Sequence, residues 1–199
     1  MKPLPSQAYL PNYQTRFPKI CQYGFSWCIP ASIENVTKYL AIPNITQDRL
    51  VISYCRKFGN GSLAVLNYSI DPTPLSDGLL ILVARKCALV HANFKTFKQI
   101  LESYQEFQIS GWQLNHIKGI NSPQQYLDEI KDAISSGYPI LISFDNGQGG
   151  SHIISVAGYD QNNLEVHDPA NNQLVPVPIC KFTFREDLLL FYKQVDHVP

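Results

Sequence analysis

The apolar positions in the first half of the chain recur at the spacing of α-helices. Ile33, Val36 and Leu40 share one face if residues 28–40 are helical, and Pro43 ends that run. The same periodicity appears in three further segments: residues 46–58, residues 75–89 and an apolar stripe across residues 94–107. These patterns predict a mainly helical N-terminal half.

The pattern changes in the second half of the chain. Ser122 begins one more predicted helix, with Pro123 in its first turn and Gln125 at the capping-box position, and Gly137 ends it. Short apolar segments separated by Gly, Asn, Asp and Pro follow, as in the strands of an antiparallel sheet. These predicted strands cover residues 139–145, 152–159, 164–168 and 174–178.

The order of these elements predicts an α+β fold. We expect a single domain of residues 1–199, with a helical half at about 1–137 and an antiparallel β half at about 138–199. The helical half would pack on the sheet, and a cleft between the two halves is the expected position of a functional site.

Composition and charge narrow the classes of function. Apolar residues make up 45% of the 199 residues and charged residues 16%, as in globular proteins. The 16 basic and 16 acidic side chains cancel, so the chain lacks the net positive charge used to bind nucleic acid or anionic membranes. The N-terminus has no apolar secretory signal, and residues 78–90 are too short to span a bilayer. We therefore expect a protein that is cytoplasmic at synthesis, binds no nucleic acid and does not insert stably into membranes.

The cysteines are few and widely separated. They are Cys21, Cys28, Cys55, Cys87 and Cys180. An odd number without an export signal argues against a disulfide framework, so one or more thiols should be free. The absence of a Cys-x-x-Cys motif or a close Cys/His pair argues against structural zinc. No metal or organic cofactor is expected.

Cys28 and His152 form a candidate nucleophile and base. Cys28 lies at the predicted N-terminus of the helix at residues 28–40, where unpaired N–H groups and the helix dipole favour a thiolate. His152 follows the small-residue loop at residues 147–150, which would leave room for a substrate backbone, and it begins a strand of the β half. A thiol needs such a base to act as a nucleophile.

Asp168 is a candidate third residue because it ends the strand that pairs with the strand of His152. The two side chains meet only if the register keeps them on one face of the hairpin. A three-residue loop, which is common in hairpins, achieves this and a two-residue loop does not, so we expect that the shared face requires a three-residue loop. Asp168 would then orient the imidazole and stabilise its cation. His167 should point to the other face and is the second candidate for the base.

Gln22 is the fourth candidate, six residues before Cys28. An amide side chain in that position can donate a hydrogen bond to the oxyanion that develops during acyl transfer. Gln22, Cys28, His152 and Asp168 together occur in an order and spacing that chance rarely produces.

Two segments resemble the active-site segments of papain-like cysteine peptidases. Residues 22–32, Gln-Tyr-Gly-Phe-Ser-Trp-Cys-Ile-Pro-Ala-Ser, are similar to the cysteine segment of the peptidases that process double-glycine leaders of bacteriocins, and of their stand-alone relatives. Residues 151–160 and 166–169 resemble the His strand and the Asp-Pro strand of that family. The family usually has Asp-Cys-Gly at the position of residues 27–29, which here are Trp-Cys-Ile, a difference that bears on the preference for double-glycine leaders.

The resemblance implies a papain-like fold with Cys28 as nucleophile, His152 as base, Asp168 as orienting residue and Gln22 as oxyanion donor. The expected activity is cleavage of a peptide or isopeptide bond through an acyl-enzyme, with a peptide or protein as the partner. Two alternatives stay open: an acyltransferase that uses the same residues, and a catalytically silent binding module that keeps the fold.

Overall fold

The computed structural model describes residues 4–24, 26–66, 68–145 and 151–193, so the predicted loop at residues 147–150 lies outside the described residues. The elements before the second predicted half are β1 (Ala8–Tyr9), α1 (Tyr13–Arg16), α2 (Cys28–Tyr39), α3 (Gln47–Phe58), β2 (Leu63–Val65), β3 (Tyr68–Ile70), α4 (Asp77–Ala84), β4 (Ala88–Leu89), α5 (Phe94–Leu101), α6 (Gln105–Ile109), β5 (Trp112–Lys118) and α7 (Pro123–Ser135). The remaining elements are β6 (Ile140–Asp145), β7 (Ser151–Tyr159), β8 (Asn163–Asp168), β9 (Gln173–Pro178), a short 3₁₀ helix (Ile179–Lys181) and β10 (Phe184–Lys193).

The fold is α+β, as the sequence predicts. A seven-stranded sheet has the order β5-β10-β6-β7-β8-β9, with β1 pairing to β7, and the pairs between its strands are antiparallel. Strands β2, β3 and β4 form a small separate sheet among the helices. The long helix α2 packs against β7, and its hydroxyl group Ser32 Oγ donates to the carbonyl of Ile153 at 3.3 Å. This contact joins the helical elements to the middle of the sheet.

Three helices agree closely with the sequence prediction because their local signals are strong. Helix α2 is helical from Cys28, and α3 begins after Thr46, whose hydroxyl accepts the Arg49 N–H at 3.3 Å. Helix α7 begins after Ser122, whose hydroxyl accepts the Gln125 N–H at 3.1 Å. Capping side chains of this kind satisfy N–H groups that have no partner within the helix.

Two helix predictions are too long. The segment at residues 75–89 is helical only from Asp77 to Ala84, and its end forms β4. The stripe at residues 94–107 is divided between α5 and α6, because Tyr104 takes an extended conformation with ψ 128°. The apolar stripe at residues 94–107 is buried as predicted, whereas Leu79 and Leu82 in the first segment are exposed. A helical spacing alone does not reveal a break in the backbone.

The prediction that the chain is mainly helical up to residue 137 is wrong for strand β5. It lies before residue 137 yet forms one edge of the seven-stranded sheet, where it pairs with β10. Its sequence alternates Trp112 and Leu114 with the exposed Gln113 and Asn115, the period expected of a strand. No helix in the described part of the chain is both long and apolar enough to cross a membrane.

Candidate active site

Cys28 is the first residue of α2 and is partly exposed. The residue before it, the fully buried Trp27, is the N-cap, and no side chain caps this helix end. Gly24 lies so close to the Trp27 indole that a Cβ atom there would come within 2.4 Å of its Nε1 atom. The tight chain path before the helix therefore requires glycine at residue 24, and it delivers the Cys28 thiol to an uncapped helix N-terminus, where a negative charge is favoured.

His152 and Asp168 are joined directly. The Nε2 atom of His152 lies 2.7 Å from Oδ1 of Asp168, and both side chains are about one-fifth exposed. The Asp168 carboxylate also accepts the Ala170 N–H at 2.8 Å and the Asn171 side-chain amide at 2.9 Å. These bonds fix the carboxylate, and the carboxylate in turn fixes the imidazole ring.

The turn between β7 and β8 differs from the prediction. The Asp160 N–H donates to the carbonyl of Asn163 at 3.0 Å, and the next pair outward is Tyr159 with Leu164. The connection is therefore a two-residue turn, and the expectation that a shared face requires a three-residue loop is wrong. The side chain of Asp160 stabilises the turn, because its carboxylate accepts the Asn163 N–H at 2.7 Å.

A β-bulge restores the arrangement that the turn alone would prevent. The register shifts between Val156 and Gly158, so that Ala157 is an extra residue on β7, and beyond it Val156 pairs with Val166. The shift of one residue returns His152 and Asp168 to the same face of the hairpin. The two side chains meet as the sequence predicts, but through a bulge and not through the loop length.

His167 points to the opposite face of β8, as expected. Its ring is fully buried and lies 6.2 Å from the ring of Phe17, centroid to centroid. Burial lowers the pKa of His167, which favours the neutral ring. Its side chain lies on the face of the hairpin opposite to that of His152 and Asp168, on the same side as Ser155, the residue with which it pairs.

The imidazole of His152 also meets the thiol of Cys28. Since Nε2 bonds Asp168, the other ring nitrogen, Nδ1, is the atom available for the hydrogen bond with the Cys28 side chain. Burial lowers the pKa of His152, but the hydrogen bonds and charges of Asp168 and Cys28 outweigh burial and raise the pKa to about 9. Burial acts to raise the pKa of Asp168, and the hydrogen bond and charge of His152 reverse this and lower it. The arrangement therefore favours a protonated imidazole held by the Asp168 carboxylate.

An aromatic side chain holds the imidazole from the side. The ring of Phe144, on β6, lies 5.5 Å from that of His152 and meets it at 80°. Phe144 is directly opposite His152 in the β6–β7 pairing. This edge-to-face contact limits rotation of the ring, so Phe144 is a positioning residue.

The main chain on both sides of Gln22 is clamped by buried amide side chains. Gln47 accepts the Tyr23 N–H at 2.9 Å and donates to the Cys21 carbonyl at 2.8 Å. Asn35, on α2, holds the Ile20 N–H at 3.0 Å and the Ile20 carbonyl at 3.1 Å. Gln22 itself is partly buried, with its Oε1 atom inside the protein. Sequence reasoning missed Asn35, Gln47 and Phe144, since a polar or aromatic residue within a helix or strand carries no local sign of such a role.

A second His–Asp pair lies elsewhere on the molecule. His116 Nε2 is 3.0 Å from Asp187 Oδ2, and the pair lines an open cavity of about 780 Å³. The described residues that line this cavity include no cysteine and none of the four candidate residues. A His–Asp pair without a neighbouring nucleophile is not a reason to assign the chemistry there.

The fold defines the class of protein as one with the papain-like cysteine peptidase fold. The chain belongs to the Peptidase_C39 like family, whose model matches residues 9–194. No curated protein matches the sequence.

Two solved structures show the same fold. A Bacillus anthracis protein assigned as a C39-like peptidase has a TM-score of 0.64 and 15% identity, and the alignment covers 96% of this chain and all of the other. The peptidase domain of Streptococcus ComA, a bifunctional ABC transporter of a quorum-sensing pathway, has a TM-score of 0.51 and 16% identity. That alignment covers 89% of this chain and 99% of the ComA domain.

Proposed function

We propose that the protein is a cysteine peptidase that hydrolyses a peptide or isopeptide bond through an acyl-enzyme at Cys28. The observation that carries the proposal is the continuous series from the Cys28 thiol through the His152 imidazole to the Asp168 carboxylate, with 2.7 Å between the last two groups. Membership of the C39-like family supports the same class of reaction.

In the first half of the reaction, Sγ of Cys28 attacks the substrate carbonyl carbon, and the carbonyl oxygen becomes negatively charged. The Cys28 N–H at the start of α2 and the Gln22 side-chain amide are the proposed hydrogen-bond donors to that oxygen. The C–N bond then breaks, and the proton on Nδ1 of His152 passes to the leaving amine. A thioester on Cys28 and a neutral imidazole remain.

In the second half, water replaces the leaving amine. The neutral His152 takes a proton from the water, whose oxygen attacks the thioester carbon. The C–S bond breaks, the product leaves as a carboxylic acid, and the thiolate–imidazolium pair is restored. Asp168 keeps the imidazole oriented through both steps and stabilises its cation.

The test is digestion of a peptide mixture in oxygen-18 water, with products analysed by mass spectrometry. A hydrolase gives new C-termini that carry oxygen-18 and new free N-termini. The Cys28→Ser variant should give neither, and the Cys180→Ser variant, which removes an exposed thiol of another region, should match the wild type. Products joined to an amine instead of labelled with oxygen-18 would show transfer, and no Cys28-dependent product of either kind would contradict the proposal.

A further inference from the structure

An apolar cavity adjoins the His152–Asp168 pair. Its volume is about 230 Å³, and the carboxyl-bearing Asp168 lies at one end of it. The apolar walls are formed by Phe144, Ile154, Val166, Val175, Val177 and Phe182. The remaining lining residues besides Asp168 are Asn171, Gln173 and Lys181, which are exposed. The floor is one face of the sheet, where Ile154 of β7, Val166 of β8 and Val175 of β9 lie side by side. Val166 and Val175 are directly paired.

The cavity shares two residues with the candidate active site. Asp168 both lines the cavity and binds His152 at 2.7 Å. Phe144 forms a wall and packs edge-on against the His152 ring at 5.5 Å. The cavity therefore begins beside the His152 imidazole, at the carboxylate that holds it.

The direction of the proposed reaction decides which part of a substrate reaches this cavity. The leaving amine receives its proton from His152, so the nitrogen of the scissile bond lies beside the imidazole. The carbonyl oxygen points instead toward the start of α2 and Gln22. A fragment that continues from that nitrogen along the imidazole reaches Asp168, which lines the cavity.

We propose that this cavity is a specificity pocket for the leaving fragment. It takes one large apolar side chain, such as Leu, Ile, Met or Phe, from the first or second residue after the scissile bond. The proposal rests on the proposed peptidase function and adds a substrate class to it.

The size and the lining of the cavity support one side chain and not a larger ligand. An apolar cavity of about 150 Å³ in a protein accommodates benzene. Pockets for whole small molecules span roughly 300–1,000 Å³. At about 230 Å³, this cavity matches a single large side chain. Ile154 and Val166 are almost fully buried at its floor, so a polar side chain that reached them would lose its hydration, whereas an apolar side chain would gain from burial.

The experiment is digestion of a mixed peptide library prepared from a cell proteome, followed by sequencing of the new N-termini. Burial of a large apolar side chain should enrich Leu, Ile, Met and Phe at the first or second position by roughly tenfold over their background. Equal representation of apolar and polar residues at both positions would overturn the pocket. Cleavage that still depends on Cys28 would leave the peptidase function intact in that case, whereas absence of Cys28-dependent cleavage would remove both.

Two variants at Val175 link the preference to the cavity. Val175→Phe fills the cavity and should reduce the enrichment several-fold, and Val175→Ala enlarges it and should move the preference toward Phe and Trp. The matched control is Val65→Phe, a half-exposed valine in the small sheet of the helical half, which should leave the enrichment unchanged. Alkylation of Cys28 reports that the site is folded in each variant. An unchanged preference in both Val175 variants would overturn the proposal.

Discussion

The main-chain N–H of Gln22 donates a hydrogen bond to the carbonyl of Pro169 at 2.9 Å. Pro169 follows Asp168 directly, so this bond joins the segment before the nucleophile to the end of the strand that carries the acid. The bond uses main-chain atoms only. Substitution of the side chain of Gln22 or Asp168 therefore leaves the connection between the two parts of the site in place, and the kinetic effect of each substitution can be assigned to the side chain removed.

Gln22→Ala should lower kcat with little change in KM. An oxyanion donor binds more strongly as charge develops on the substrate oxygen, so its loss affects the transition state more than the bound substrate. We expect a loss of roughly a hundredfold to a thousandfold in kcat, about 3–4 kcal/mol. Steady-state kinetics on one cleaved peptide measure it, with Cys28 alkylation near the wild-type rate as the control. An unchanged kcat in the folded variant would remove Gln22 from the site.

Cys28 should be the first of the five cysteines to react with iodoacetamide at mildly acidic pH. Burial raises the pKa of Cys55 to about 11 and also raises the pKa of Cys87, so neither supplies thiolate under these conditions. Cys21 and Cys180 are exposed and are the real competitors.

The order of labelling is read by peptide mapping in a time course. His152→Ala provides the comparison, because it removes the imidazolium that stabilises the thiolate of Cys28 and should slow only that residue. Labelling of Cys21 or Cys180 before Cys28 in the wild type would assign the reactive thiol elsewhere.

His152→Ala should abolish nearly all turnover. The imidazole of His152 makes a hydrogen bond with Cys28, whereas His167 is buried on the opposite face of the strand beside Phe17. His167→Gln is the comparison, and it should retain activity to the extent that the protein stays folded. Rates are measured on the same peptide after thermal unfolding has been compared. Activity that survives in His152→Ala and is lost in His167→Gln would transfer the role of base to His167.

The pH profile should have an alkaline limb near pH 9. The pKa of His152 is raised above its ordinary value of 6.5 to about 9, so the imidazolium persists through neutral pH and is lost as the pH rises through that value. The leaving amine then lacks its proton donor, and kcat/KM falls.

Asp168→Asn should move that alkaline limb to lower pH. The substitution removes the negative charge that helps to raise the pKa of His152, while an amide can still orient the ring. The loss of turnover should therefore be milder than in His152→Ala. The measurement is kcat/KM between pH 6 and 10, and an alkaline limb at the same pH in both proteins would contradict the proposed pairing.

The meeting of His152 with Asp168 shows what a local pattern can and cannot predict. The alternation of side chains identifies both strands, and the requirement for a shared face follows from strand geometry. The bulge that produces the shared face lies against the segment that follows β1, because the Ala157 carbonyl accepts the Leu10 N–H at 2.8 Å. That contact joins distant parts of the chain, and a hairpin considered by itself contains no sign of it.

The other elements show the same difference between local signals, which the sequence reveals, and contacts between distant segments, which it does not. Helices with capping side chains, such as α3 after Thr46 and α7 after Ser122, could be predicted almost to the residue. Strand β5 lies in the half predicted as helical. The sequence near β5 does not reveal its role in the sheet, because its partner, β10, is at the far end of the described chain. Pairing between distant strands sets the extent of a sheet, whereas a cap acts within one turn of helix.

Gln47→Ala should lower kcat although the side chain of Gln47 is not expected to touch the substrate. The substitution frees the Cys21 carbonyl and the Tyr23 N–H, the main-chain groups on either side of Gln22. A small displacement of a catalytic group can cost up to about a hundredfold in rate. The control is Gln124→Ala, an exposed glutamine on α7 that bonds Asp128 and should leave kcat unchanged.

A double substitution distinguishes positioning from general loss of stability. Gln47→Ala removes two hydrogen bonds from buried surroundings, so the free energy of unfolding should fall by roughly 1–3 kcal/mol whatever its role in the site. If Gln47 acts by positioning Gln22, its effect on kcat disappears once the Gln22 side chain is absent, and the Gln22→Ala, Gln47→Ala protein has the kcat of Gln22→Ala alone. Effects on kcat that multiply in the double variant, measured well below its melting temperature, would show that Gln47 acts on the rate independently of Gln22.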